Sequence, residues 1–203
     1  MASSSTVTVG SLQFPAPVMT ASGTAGHGAE LGAYFDLGQL GAVVVKSLSA
    51  EPWAGNPAPR VHTAGDGMIN AVGLQGPGVE AWLEHELPGL ERSGARVVVS
   101  IWGRGVEEYR RAAQMMAHAP ASVVAVEVNL SCPNLEGRRG IFAHDPGLSA
   151  EVMSATAAVG RPRWAKLSPN TDRVVEVAAA VHAAGAESVT LVNTLLGMVL
   201  DPQ

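Results

Sequence analysis

Val123-Val124-Ala125-Val126-Glu127-Val128-Asn129-Leu130-Ser131-Cys132-Pro133-Asn134 is the stretch on which the reading of this 203-residue chain turns. The β-branched run Val123 to Val128 predicts a strand buried on both faces, as in a parallel sheet. Polar residues end it abruptly, and Pro133 forbids continuation of a central strand. Asn129, Ser131, Cys132 and Asn134 thus bring two amides, a hydroxyl and the chain's single thiol into one loop. That suits a binding or catalytic site; an ordinary turn with a half-buried thiol is the bland alternative.

Strand and helix patterns alternate on either side of this stretch. Val7-Thr8-Val9 and Leu12-Gln13-Phe14, joined by Gly10-Ser11, predict an N-terminal hairpin. Further strands are expected at Pro17-Val18-Met19, Gly41 to Lys46, Arg96 to Ile101, Arg163 to Leu167 and Ser188 to Val192. Helices are expected at Glu30 to Leu37, Val79 to Arg92, Val106 to His118, Asp145 to Val159 and Asp172 to Ala184. Asp145-Pro146 is an N-cap followed by proline at the first helical position, and Gly185 stops the last helix. Ser47 to Pro77 reads as one long Gly-, Pro- and Asn-rich loop, a length more typical of a lid or binding loop than of a plain connection. Leu135 to His144 reads as a second, mobile loop. Asn70, set among apolar residues, is expected to hydrogen-bond backbone or ligand.

Repeating units of about 30 residues fit βαβ folding and leave two architectures, an open doubly wound sheet or a barrel. The polar residues separate them. Lys46, Asn129, Cys132, Lys166, Asn193 and Thr194 all fall at or just beyond the C-terminal ends of different strands. In a barrel those ends converge on one mouth, whereas an open sheet concentrates its site at one switch point. The expected fold is therefore α/β: an incomplete (β/α)8 TIM barrel with about six of eight strand-helix units, residues 1–203 forming one partial domain.

Composition narrows the function classes. A net charge of −5 disfavours nucleic acid and anionic membrane as partners. One cysteine excludes an intrachain disulfide framework or a cysteine-cluster metal site, and the six histidines lie scattered without ligand spacing, as loop or surface residues. The N-terminus has no signal-peptide pattern and no apolar run reaches the ~20 residues of a membrane span, so a cytoplasmic protein is expected. Among the thirteen basic residues only Lys46 and Lys166 are lysines, and each closes an apolar run. A compact ammonium does what a guanidinium cannot at short range, which singles out these two positions.

Several motifs taken together resemble the soluble, class 1 dihydroorotate dehydrogenases. They are Ala21-Ser22-Gly23-Thr24; Lys46-Ser47 with Glu51-Pro52 and Gly55-Asn56-Pro57; Gly67-Met68-Ile69-Asn70 with Gly73-Leu74-Gln75; the Asn129 to Asn134 stretch; Lys166-Leu167-Ser168-Pro169-Asn170; and Asn193-Thr194. The resemblance implies FMN as cofactor, held by Ala21, Ser22, Gly23, Lys46, Ser47, Asn129, Lys166 and Val192. It implies dihydroorotate contacts from Lys46, Asn70, Gly73, Leu74, Asn129, Asn134, Asn193 and Thr194, with Cys132 as catalytic base and no metal. A thiol near Lys46 is expected to lose its proton more readily than a free one. A homo-oligomer is expected. The acceptor of electrons is left open between fumarate and NAD reached through an iron-sulfur and FAD partner subunit.

Departures from the family pattern are Trp53 after Glu51-Pro52, Trp102 at a strand end where a small residue is usual, and Phe142-Ala143-His144-Asp145. Barrels of this kind typically need about 250 residues, with the phosphate site after strands seven and eight. Those strands are not in this sequence, so the chain reads as C-terminally truncated and is expected to hold FMN weakly on its own. An inactive or partner-dependent fragment, a dihydropyrimidine-oxidising flavin domain and, more remotely, a Schiff-base aldolase built on Lys166 are the alternatives weighed.

Overall fold

Strand β7, Val123–Asn129, lies at the centre of a five-stranded sheet in a computed structural model that describes residues 6–132 and 140–200. Its neighbours are β3 (Val43–Leu48), β6 (Val97–Ile101), β8 (Arg163–Lys166) and β9 (Ser188–Thr190). All pairs are parallel and the spatial order is β3-β6-β7-β8-β9. The order follows the chain without reversal. Right-handed crossovers between parallel strands then put every connecting helix on the same face, which is the winding of a barrel wall. The fold is α/β and the barrel is incomplete.

Two apolar clusters explain why these residues form these strands. The larger lies between the sheet and its helices: Val43, Val45, Val97, Val99, Val126, Val128 and Ala165 face Tyr109, Ala112 and Met116 of α3 (Val106–Met116), Val152 and Met153 of α4 (Pro146–Ala155), and Val177 and Val181 of α5 (Val174–Ala183). The smaller contains Ala42, Val44, Val98, Ala125 and Trp164, side chains of the other strand face, together with Phe14. Phe14 comes from β2 (Leu12–Phe14), which pairs antiparallel with β1 (Val7–Val9) as expected. The hairpin therefore plugs the inner face of the wall, with the Phe14 and Trp164 rings edge to face at 5.8 Å.

Among the described residues the parallel sheet has five regular strands in place of the six expected. Pro17 to Met19 forms only a single parallel bridge, Met19 to Ala42, and Val18 is 61% exposed. Prolines at 15 and 17 remove backbone donors there, so no ladder can extend. The expected 30–37 helix resolves into two short 3₁₀ turns, Glu30–Ala33 and Leu37–Gln39. The expected 79–92 helix breaks at Glu86 into α1 (Val79–His85) and α2 (Leu87–Arg92), where Pro88 lacks the N–H needed to continue the ladder.

The long 47–77 loop contains a hairpin that periodicity missed: β4 (Val61–Ala64) against β5 (Gly67–Asn70). Its two-residue turn is Gly65-Asp66, with Gly65 at φ 59°, a short Gly/Asp signal of hairpins. Asn70 pairs with Val61 at the end of this ladder and is exposed rather than buried among apolar neighbours. Of the loop expected from Leu135 to His144, residues 135–139 lie outside the described residues; Phe142–His144 is a 3₁₀ turn with Phe142 buried.

Helix α4 begins as its sequence dictates. Asp145 accepts a hydrogen bond from the Leu148 N–H at 2.9 Å and Pro146 occupies the first turn. Asp145→Ala should cost about 1 kcal/mol, measured as a lowered urea midpoint with an unchanged slope. After Ala155 a short 3₁₀ turn, Ala157–Val159, completes the segment.

Candidate active site

The inner face of the wall becomes polar toward the C-terminal ends of its strands. Alternation sets Val98 and Ser100 of β6, Ala125, Glu127 and Asn129 of β7, and Trp164 and Lys166 of β8 on that face. Strand β3 breaks the alternation with a register shift between Val45 and Leu48. An irregularity of this kind re-aims a side chain, and here Ser47 comes within hydrogen-bond distance of the β6 and β7 polar residues.

The result is one continuous network. The Ser47 hydroxyl meets those of Ser22 at 3.1 Å and Ser100 at 2.9 Å, and accepts from Asn129 Nδ2 at 3.0 Å. Asn129 Oδ1 accepts from Asn193 Nδ2 at 3.1 Å and from the Ser131 N–H at 3.2 Å. Ser100 and Thr190 both donate to Glu127, at 2.9 and 2.8 Å. Ser47, Ser100, Glu127 and Asn129 are all at most 3% exposed. Buried polar groups are costly unless bonded, and these satisfy one another. Tyr109 fixes the strand end from the helix side, its hydroxyl donating to the Asn129 carbonyl at 2.6 Å.

Lys166 closes β8 beside this network and is only 5% exposed. Its ammonium makes no hydrogen bond or ion pair among the described residues. It is instead the cation that acts on Cys132, whose thiol is 1% exposed. Burial pushes the Cys132 thiol up to about 12, while the Tyr109 hydroxyl and Lys166 pull it down less strongly. This corrects two expectations: the thiol is harder to ionise than a free one, and its partner cation is Lys166 rather than Lys46. Desolvation outweighs one nearby charge here.

Lys46 sits a residue away from Ser47, half-buried, and its ammonium is held below the usual lysine range by burial and by Arg60. It in turn helps burial depress His27. His27 lies in a loop and His144 in a short 3₁₀ turn; both are half-buried, and neither Nε2 has a hydrogen-bond partner among the described residues. His27 lines a cavity of ≈ 590 Å³ with Trp53, Gln75 and Glu86.

The remaining described site candidates lie in loops, except Asn70, which ends β5. Ala21 and Gly23 are exposed in the loop after Met19, with Gly23 at φ 91°. Asn193 is anchored by its N–H to the Leu167 carbonyl at 3.0 Å, while Val192 and Thr194 are exposed. Gly73 and Leu74 belong to the segment after β5, and Leu74 packs against the larger apolar cluster. The Gly73 carbonyl accepts from Trp53 Nε1 at 2.9 Å, and no hydrogen bond among the described residues links Asn70, Gly73 or Leu74 to the Ser47–Asn129 network. Asn134 lies outside the described residues. The two tryptophans that depart from the family pattern form a single feature: Trp53 and Trp102 pack edge to face at 6.1 Å, and the Arg104 guanidinium lies 5.0 Å from the Trp53 ring centre. Glu127 and Ser100 are functional candidates that sequence reading passed over, although Glu127 stands two residues before Asn129 and so on the same strand face.

Comparisons with known proteins show the family. The dihydroorotate dehydrogenase family matches over residues 4–203. A protein of Alkaliphilus metalliredigens named dihydroorotate dehydrogenase B (NAD(+)), catalytic subunit, is 43% identical over 196 residues, covering 96% of this chain and 64% of the relative. Proteins of the same name from Geotalea uraniireducens and Bacillus pumilus are 42% and 41% identical, with 65% and 60% of their lengths covered. The chain thus spans less than two thirds of the length of these relatives.

Proposed function

We propose, starting from a chain that belongs to the dihydroorotate dehydrogenase family, that its strand ends form the substrate and flavin site of a dihydroorotate-oxidising enzyme of pyrimidine biosynthesis. The observation that carries this reading is the convergence of Ser22, Ser47, Asn129 and Asn193 in one network beside Lys166 and Cys132. Converting dihydroorotate to orotate removes a proton from C5 and a hydride from C6. FMN, when bound, accepts the hydride.

The donor set suits that cofactor. A buried ammonium that meets no anion among the described residues, as at Lys166, fits an electron-rich ring that gains charge on reduction. Ser22, Ser47, Asn129 and Lys166 would hold its inner edge, with Ala21, Gly23, Lys46 and Val192 around them. Asn amides donate and accept at once, so Asn129 and Asn193 match the imide edge of a pyrimidine. Lys46, Asn70, Gly73, Leu74, Asn134 and Thr194 would complete the substrate side, Lys46 answering the carboxylate.

Cys132 takes the C5 proton in this account. A neutral thiol cannot do so, and burial keeps the proton on sulfur, so reaction requires the minor thiolate form. The rate should therefore rise with pH through the alkaline range instead of levelling near an ordinary thiol value. The words catalytic subunit and NAD(+) in the relatives' names support a further subunit as partner and NAD as acceptor; an electron-transfer role for that subunit is part of the proposal. No helix among the described residues is long and apolar enough to cross a membrane, in keeping with a cytoplasmic enzyme.

Binding tests this directly. Titration of the chain with FMN, followed by flavin fluorescence, should give weak saturable binding that orotate perturbs and Lys166→Ala weakens about tenfold. Tight stoichiometric flavin would contradict the weak-binding expectation, and no response to orotate would contradict the site.

A further inference from the structure

Glu127 is a carboxylate buried to 2% exposure on the inner face of the wall. Nothing in the chemistry above uses it. No cation pairs with it among the described residues; two hydroxyls do, Ser100 at Oε1 and Thr190 at Oε2. A carboxylate only accepts, and a serine hydroxyl has one proton to give. These two rules fix the sense of every bond outward from Glu127.

Ser100 spends its proton on Glu127, so in the 2.9 Å contact between Ser100 and Ser47 the donor is Ser47. Ser47 then has none left, so in the 3.1 Å contact with Ser22 the donor is Ser22. Asn129 Nδ2 fills the second lone pair of Ser47, while Asn129 Oδ1 accepts from Asn193 Nδ2 and the Ser131 N–H. One buried acceptor sets the proton order of three serines, and the Ser131 and Thr194 N–H groups, which can only donate, hold the amides of Asn129 and Asn193 in the orientation that matches it. At the mouth, Ser22 is left with lone pairs alone, and offers an acceptor to an N–H of the ligand.

We propose that Glu127 is a positioning residue that, through Ser100, fixes the donor and acceptor pattern the site presents to its ligand. The identity of that ligand rests on the reading above; the hydrogen-bond chain does not.

Side-chain amide resonances of Asn129 and Asn193 in the ¹⁵N-labelled full chain test the proposal without any ligand. Ser100→Ala cuts the chain, and Glu127→Met removes its acceptor at similar volume; both should move these resonances. The double variant should move them no further than Ser100→Ala alone, because the two act in series. Thr190→Val, which removes only the other arm, should leave them in place. FMN binding should weaken about tenfold in the first two variants and remain unchanged in the third. Unmoved Asn129 resonances in Ser100→Ala, or an equal shift in Thr190→Val, would overturn the proposal. If Glu127→Met does not fold, the contrast between Ser100→Ala and Thr190→Val decides alone. If the amides respond as expected but the unmodified chain binds no flavin, the positioning role stands and the functional reading falls.

Discussion

Cys132 should react with iodoacetamide about a hundredfold more slowly than a free thiol at pH 7. A rise from 9.0 to about 12 cuts the thiolate fraction at neutral pH about a thousandfold. A more basic thiolate is intrinsically more nucleophilic, which returns about half of that on a logarithmic scale. Burial at 1% exposure then slows access again. The sign follows from the cause: the fold favours the protonated thiol, so thiolate gains on thiol only as pH climbs toward 12. Labelling measured by mass spectrometry from pH 7 to 10 should keep accelerating across the range. A plateau near pH 9 would mean that the thiol is not desolvated. The same linkage makes stability from this group complete below the unfolded thiol value and lost as pH rises from there toward 12.

Trp164→Ala should destabilise the protein by about 3–5 kcal/mol. Trp164 is 4% exposed and fills the inner face between Ala42, Val44, Val98 and Ala125, with Phe14 against its ring. Truncation leaves a cavity that the surrounding sheet cannot close, because the same strands are fixed by helices on their outer face. Its Nε1–H has no partner among the described residues, so Trp164→Phe loses volume but none of the hydrogen bonds they make. That variant should cost well under half as much. Urea unfolding of both variants measures the contrast; equal losses would show that a smaller aromatic ring restores none of the packing against Phe14 and the sheet. Loss of the plug should also loosen the polar layer above it, since Lys166 follows Trp164 by two residues on the same strand face.

What was legible in the sequence was local. Val123 to Val128 could be read as a buried strand because β-branched residues on consecutive positions need apolar surroundings on both sides. Asp145-Pro146 announced its helix because capping is decided within four residues. Polar residues ending successive strands pointed to a barrel rather than an open sheet, and the sequential strand order agrees with that fold.

What was missed depends on contacts between distant segments or on small backbone irregularities. Ser47 reaches the inner network because β3 shifts register after Val45, and no residue pattern marks that shift. Cys132 was expected to be acidified by Lys46; its environment is set by Tyr109 on α3 and Lys166 on β8, and by burial that outweighs both. The β4–β5 hairpin has no apolar face, so periodicity gave no sign of it, although Gly65-Asp66 between two four-residue runs did. Glu127 shows the opposite failing. A lone carboxylate inside a valine run, in phase with Asn129, was visible from the start, and the cost of burying an unpartnered charge should have drawn attention to it.

The central claim is that Cys132 and the Asn129 network serve one ligand site that oxidises dihydroorotate. Anaerobic addition of dihydroorotate to the chain in excess FMN measures it most directly, with the flavin's visible absorbance as readout. Bleaching by dihydroorotate, slowed at least about a hundredfold in Cys132→Ala and absent with dihydrouracil, is the predicted result. Bleaching at an unchanged rate in Cys132→Ala, preference for dihydrouracil, or no bleaching at saturating flavin would contradict it.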